Sequence, residues 1–206
     1  MGTKIRRKWD LLSEQSGALT VLSVAFLLGG VAGCFFAALS DGAGAAELSS
    51  YLADYLTLAQ EGALSGGLWP LLWEHLKYFF AALVLSVTAL GVIGLPLLFA
   101  ARGFAFSFSV ACFCLVFGGR GLFPALVLFG LSAVLWAPAL FLIGVPGLLC
   151  AQRMLRRVLG ESGGGISLGW SGLPRVAVCI GLSIAAGLLE YWVTPVLLQT
   201  AARLVL

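Results

Sequence analysis

Charge is scarce in this sequence. Lys and Arg together number 12, Asp and Glu 9, and His75 is the only histidine among 206 residues. Soluble domains carry roughly 25% charged residues; this chain has 10%, with 61% hydrophobic residues and a mean hydropathy of +1.06. Such a composition requires lipid as the main solvent. Catalytic patterns are also missing: there is no H-E-x-x-H, no G-x-S-x-G, no Walker loop and no pair of carboxylates within one apolar run. Proteolysis or phosphoryl transfer inside a membrane would need groups of that kind, so a non-enzymatic role is expected, with no cofactor implied.

The basic residues sit in short clusters beside apolar runs, where they act as topology signals rather than as a nucleic-acid surface. Cys34, Cys112, Cys114, Cys150 and Cys179 all fall in or at the edge of apolar segments, which argues against a disulfide framework. Cys112 and Cys114 form a C-x-C pair, but no other Cys or His is near in sequence, and cysteine in such a helix behaves as a small hydrophobe.

What is present is a series of long apolar runs. Lys4, Arg6, Arg7 and Lys8 precede the run 18–39, which gives about 33 Å of helix and exceeds the h-region of a cleaved signal peptide. Its Gly29 and Gly33 form a G-x-x-x-G pair that lets a neighbouring helix approach closely. Further spans are expected at 78–101, 103–117, 122–150 and 176–195, with Arg102 in the tight connection between the second and third, placed to reach cytoplasmic headgroups. Pro124, Pro138 and Pro146 predict a kinked fourth span. The fifth carries Gly181 with Ala185 and Ser183 with Gly187 as small-residue faces.

Between the first two spans, 40–77 is polar and acidic. Leu48, Tyr51, Leu52, Tyr55, Leu56 and Ala59 share one helical stripe, and Trp69, Leu72, Trp73 and Leu76 form a second one after the breaker run 62–67. Two short amphipathic helices lying on the outer leaflet are expected there, with lipid contact and partner docking both open to them. His75 fits interfacial packing or headgroup contact better than metal ligation. The segment 151–175 carries Arg153, Arg156, Arg157 and Arg175 against Glu161, marking it as cytoplasmic like the basic N-terminus. An even number of crossings must separate two cytoplasmic segments, so the short run 103–117 has to cross. The C-terminus then lies outside. Glu190 leaves two readings open: a charge in the outer third of the fifth helix that needs a partner, or the end of that span at Leu189 with 196–206 laid along the membrane. The fold expected is all-α, a single polytopic membrane domain of about five helices.

The run Gly91-Val-Ile-Gly94-Leu-Pro96, the following Arg102-Gly103-Phe104, and Gly187-Leu-Leu-Glu190-Tyr-Trp-Val-Thr194-Pro195 near the end occur in an order that resembles the stage II sporulation protein M family. The similarity in length, basic N-terminus, acidic outer loop and helix order extends over nearly the whole chain. At Ser107 it departs from the family, which often has glycine there. The resemblance implies a role in forespore engulfment, as a mother-cell membrane scaffold for stage II sporulation proteins D and P, which are the peptidoglycan hydrolases; no catalytic residue transfers. Candidate structural or partner-contact residues are therefore Gly91, Gly94, Pro96, Arg102, Gly103, Glu190 and Pro195, with Tyr51, Tyr55, Trp69 and Trp73 in the outer segment. Association with a second copy is left open by the small-residue faces. The rival class is a small transporter or permease subunit, motivated by the broken second span and by Glu190.

Overall fold

The computed structural model describes residues 2–39, 50, 68–118, 122–160 and 173–205, and among them every regular element is helical. Helix α1 spans Gly2–Leu39, α2 Leu68–Ser86, α3 Gly91–Phe117, α4 Leu122–Ala125, α5 Leu131–Val158 and α6 Leu173–Val205; a π-helical turn, Leu126–Gly130, joins α4 to α5. Three stretches are long and apolar enough to cross a membrane, Glu14–Leu39, Gly91–Leu115 and Leu131–Val158, and Val176–Trp192 is a shorter apolar one. The outer surface is apolar: Leu27, Val31, Ile93, Leu97 and Val134 are each at least 65% exposed. A surface of that kind is stable only against lipid. The chain is a helical membrane protein.

Consecutive long helices alternate in direction. Gly29 and Gly33 of α1 lie against Ala100 and Phe104 of α3 in the same order, so these two run parallel. Ser86 at the end of α2 touches Gly147 of α5, Gly91 touches Ala151, and Arg153 pairs with Glu14 at 3.7 Å, which brings those segments to one basic end. Leu72 near the start of α2 meets Gly187 of α6 towards the opposite end. The α1–α3 contact depends on missing side chains: a Cβ on Gly29 would overlap the carbonyl of Ala100, and one on Gly103 would overlap that of Phe26. Ser107 faces Gly30 across the same seam. The core centres on Leu22, Leu95, Phe99 and Leu148, with Phe99 packed edge-on against Phe141 at 4.9 Å and accommodated by Gly144.

Several boundaries differ from those read in the sequence. The break expected at Arg102 lies instead at Val87–Leu90, where Val87 and Thr88 donate to the carbonyls of Val84 and Leu85 in tightened turns. Gly91 allows the reversal because any Cβ there would strike the Leu85 carbonyl. The runs expected as 78–101 and 103–117 are thus repartitioned: α3 continues through Pro96, Arg102 and Gly103 without interruption. Pro96 sits within the first two turns of α3, where the missing N–H forfeits only one carbonyl partner. The stripe of Trp69 and Trp73 is not a separate surface helix but the first turns of α2. Arg153, Arg156 and Arg157 belong to the end of α5 rather than to a loop, since arginine is a good helix former and complements the negative end of the helix dipole. The stripe containing Tyr51 and Tyr55 lies outside the described residues.

Candidate functional site

Four helices converge on one polar cluster. Arg102 stands at the centre of the apolar stretch Gly91–Leu115, about 16 Å along α3 from Gly91. It is not in a connection reaching for headgroups. Its guanidinium is 4.4 Å from the ring centroid of Tyr78 on α2 and 4.4 Å from that of Trp136 on α5. Two aromatic faces thus disperse a charge that would otherwise be expensive at this depth. Lysine could not substitute, because only the planar guanidinium stacks on both rings.

Beside it, His75 of α2 and Glu190 of α6 approach to 2.9 Å between Nε2 and Oε2. The His75 side chain is 5% exposed and that of Glu190 27%. Of the two expectations for His75, packing and headgroup contact, packing fits: the imidazole points into the bundle, because Gly187 lets α6 come close to Leu72 and His75. Of the two readings of Glu190, the partnered one holds. Helix α6 does not stop at Leu189 but continues to Val205, carrying Pro195 within it. Beside an ionised carboxylate Nε2–H donates to Glu190, and in the neutral imidazole Nδ1 is then the acceptor. Nδ1 is buried and has no hydrogen-bond partner among the described residues. A void of about 10 Å³ bounded by His75, Tyr78, Arg102 and Ser183 adjoins the ring, the size of one water.

A cleft of about 200 Å³ also borders the imidazole, lined by His75, Arg102, Ser109, Ser132, Trp136 and Glu190, with Phe106 and Phe129 on its wall. The Ser109 hydroxyl donates to the Ala105 carbonyl at 2.9 Å. Phe129 belongs to the π-helical turn and Ser132 to the first turn of α5. Such turns recur at functional sites because the extra residue re-aims the side chains around it.

The remaining candidates are packing residues or surface. Gly94 lies against the Leu85 side chain and Gly91 against its carbonyl, so both serve the α2–α3 reversal. Gly103 serves the α1 seam. Trp69 is 74% exposed and Trp73 55%, on the same end of the bundle as Trp192 at 71%. The Ser183–Gly187 face of α6 is used, with Ser183 buried, whereas Gly181 has nothing near it. Cys112 is buried and Cys114 half-buried, and among the described residues no three His, Cys, Asp or Glu side chains gather as a metal site.

Sequence reasoning missed Tyr78, Trp136, Ser109 and Ser132. Tyr78 could have been found from its spacing, since it lies three residues after His75 on the same helical face. Trp136 gave no such signal, being one aromatic in an apolar run. Searched against protein-family models, curated proteins and solved structures, the chain matches none.

Proposed function

We propose that this chain is a non-enzymatic membrane scaffold that anchors and localises extracytoplasmic peptidoglycan hydrolases during forespore engulfment, as its resemblance to the stage II sporulation protein M family implies. In this reading five helices cross the mother-cell membrane, with the basic N-terminus and the Arg153–Arg157 end cytoplasmic and the C-terminus outside. The observation that carries it is the aromatic end of the bundle. Trp69, Trp73 and Trp192 expose large apolar surface on helices whose packing is fixed beneath them by Leu72 against Gly187 and by His75 against Glu190. Aromatic anchors on rigid elements are what a docking surface needs. The test is affinity purification from sporulating cells with identification of bound proteins. Two wall hydrolases are expected, their yield reduced in a Trp69→Ala/Trp73→Ala variant; capture of no hydrolase refutes the scaffold.

A second reading, a small transporter or permease subunit, is favoured by the cleft that Arg102, His75 and Glu190 line inside the bundle. Uptake of solute into reconstituted vesicles, abolished by Glu190→Gln, would establish it, and absence of uptake across amino acids, amines and organic anions would dismiss it.

A further inference from the structure

A second cleft, of about 400 Å³, opens between α1 and α5 at the basic end of the bundle. Glu14, Gly17 and Ala18 stand on its α1 wall, Leu149, Arg153 and Arg156 on its α5 wall. Glu14 begins the apolar stretch Glu14–Leu39, so the cleft lies at the level where hydrocarbon gives way to headgroups. Arg153 and Arg156 are three residues apart on α5 and share a face, a spacing at which like charges repel. Glu14 answers only one of them, and weakly: its carboxylate is 3.7 Å from Arg153, with both side chains more than half exposed. Two guanidiniums against one carboxylate leave the cleft with an excess of positive charge. Gly17 is the second observation. The glycines of the α1–α3 seam are pressed against neighbouring backbone, whereas a Cβ on Gly17 would meet nothing within 4 Å. Its missing side chain seats no helix and leaves the cleft open, at a helical position where glycine costs about 1 kcal/mol relative to alanine.

We propose that the cleft between α1 and α5 binds an anionic phospholipid, its phosphate between Arg153 and Arg156 and the start of its acyl chains against Ala18 and Leu149. Charge decides the class of ligand. Guanidinium groups grip phosphate oxygens through paired N–H donors, and an anion between the two arginines relieves their repulsion. A headgroup that carries its own ammonium beside the phosphate does this less well. The side-chain amide of Gln152 lines the same cleft and supplies a further donor. Hydrocarbon decides the source. A free phosphate ester would leave the apolar wall of Ala18 and Leu149 wet, whereas a lipid resident at this depth covers it. Glu14 opposes the bound anion and so limits the affinity. The site rests neither on the scaffold reading nor on which side of the membrane the basic end faces.

The test uses the full chain purified in dodecyl maltoside and native mass spectrometry of the lipid it retains. The protein is titrated with dioleoyl phosphatidylglycerol, with dioleoyl phosphatidylcholine, and with glycerol phosphate as the free anion. Phosphatidylglycerol is expected to bind saturably at a single site and more tightly than phosphatidylcholine. Arg153→Gln and Arg156→Gln should each weaken it about fivefold, the effect of one cation near a membrane surface. Gly17→Leu should weaken it at least as much, because it fills the cleft while keeping both charges. Glu14→Gln should strengthen it, although the pair with Arg153 is lost; a merely structural ion pair gives no such gain. If Gly17→Leu does not give a helical, monodisperse protein, Gly17→Met replaces it. The proposal is overturned if phosphatidylglycerol is retained no better than phosphatidylcholine, or if glycerol phosphate displaces the lipid at the same concentration. It is equally overturned by arginine variants or a folded Gly17 variant that bind as the parent does, or by weaker binding in Glu14→Gln. The scaffold falls on hydrolase capture and the transporter on uptake, so neither failure is confused with this one.

Discussion

Replacing Glu190 by leucine should cost more than replacing its partner, and the asymmetry follows from burial. In Glu190→Leu the His75 ring, whose side chain is 5% exposed, keeps its place with neither nitrogen bonded to protein. A buried polar group left without a partner costs about 1–3 kcal/mol. In His75→Leu the orphan is Glu190, whose side chain is 27% exposed against 5% for His75, so its carboxylate is the better solvated of the two in the cleft both residues line. The double variant should then resemble His75→Leu alone, since leucine at 190 removes nothing that leucine at 75 has not already made redundant. The coupling energy between the two sites then equals the Glu190→Leu loss itself, about 1–3 kcal/mol. The assay is equilibrium unfolding in mixed micelles titrated with dodecyl sulfate, followed by circular dichroism. Strict additivity within about 0.5 kcal/mol, or a larger loss in His75→Leu than in Glu190→Leu, would refute the pairing.

Other substitutions check the remaining geometry. Gly29→Leu should separate α1 from α3 and yield aggregated or poorly folded protein in size-exclusion chromatography, because the new side chain meets the Ala100 backbone, whereas Gly181→Ala, with nothing within reach of its Cβ, should change unfolding by less than about 0.5 kcal/mol. Phe99→Ala empties the centre of the core and should cost about 3–5 kcal/mol in the same titration. Arg102→Lys keeps the charge but loses its stack between Tyr78 and Trp136, and a destabilisation of about 1–2 kcal/mol is expected. A cysteine at Leu159 should resist a membrane-impermeant reagent in intact cells while one at Trp69 reacts; the reverse pattern would invert the orientation.

Composition and hydropathy were sufficient for the class. A chain with so few charges and such long apolar runs has no stable state except helices in lipid, because only helices and closed barrels satisfy their backbone there. Local rules placed one end correctly, that of α3 at Gly118, which has positive φ and opens a glycine-rich run; α5, expected to end at Cys150, instead continues to Val158, with Gly160 at positive φ just beyond. The G-x-x-x-G pair at Gly29 and Gly33 does seat a neighbouring helix. Where the reading erred, it took a charge as the end of a helix. Arg102 looked like a boundary because hydropathy treats any guanidinium as wanting water, and no property of α3 alone says that Tyr78 and Trp136 will cover it.

Sequence alone therefore determined the solvent of this protein, its helical class and the small-residue seam of α1, since each follows from the transfer energy or steric size of residues close together in the chain. Only the tertiary structure decided the reversal at Val87–Leu90, the pairing of His75 with Glu190 and the cleft beside Arg102. His75 and Glu190 are 115 positions apart, and their meeting depends on how closely Gly187 lets α6 approach α2. That approach is settled by packing among all the helices at once, which no local pattern encodes.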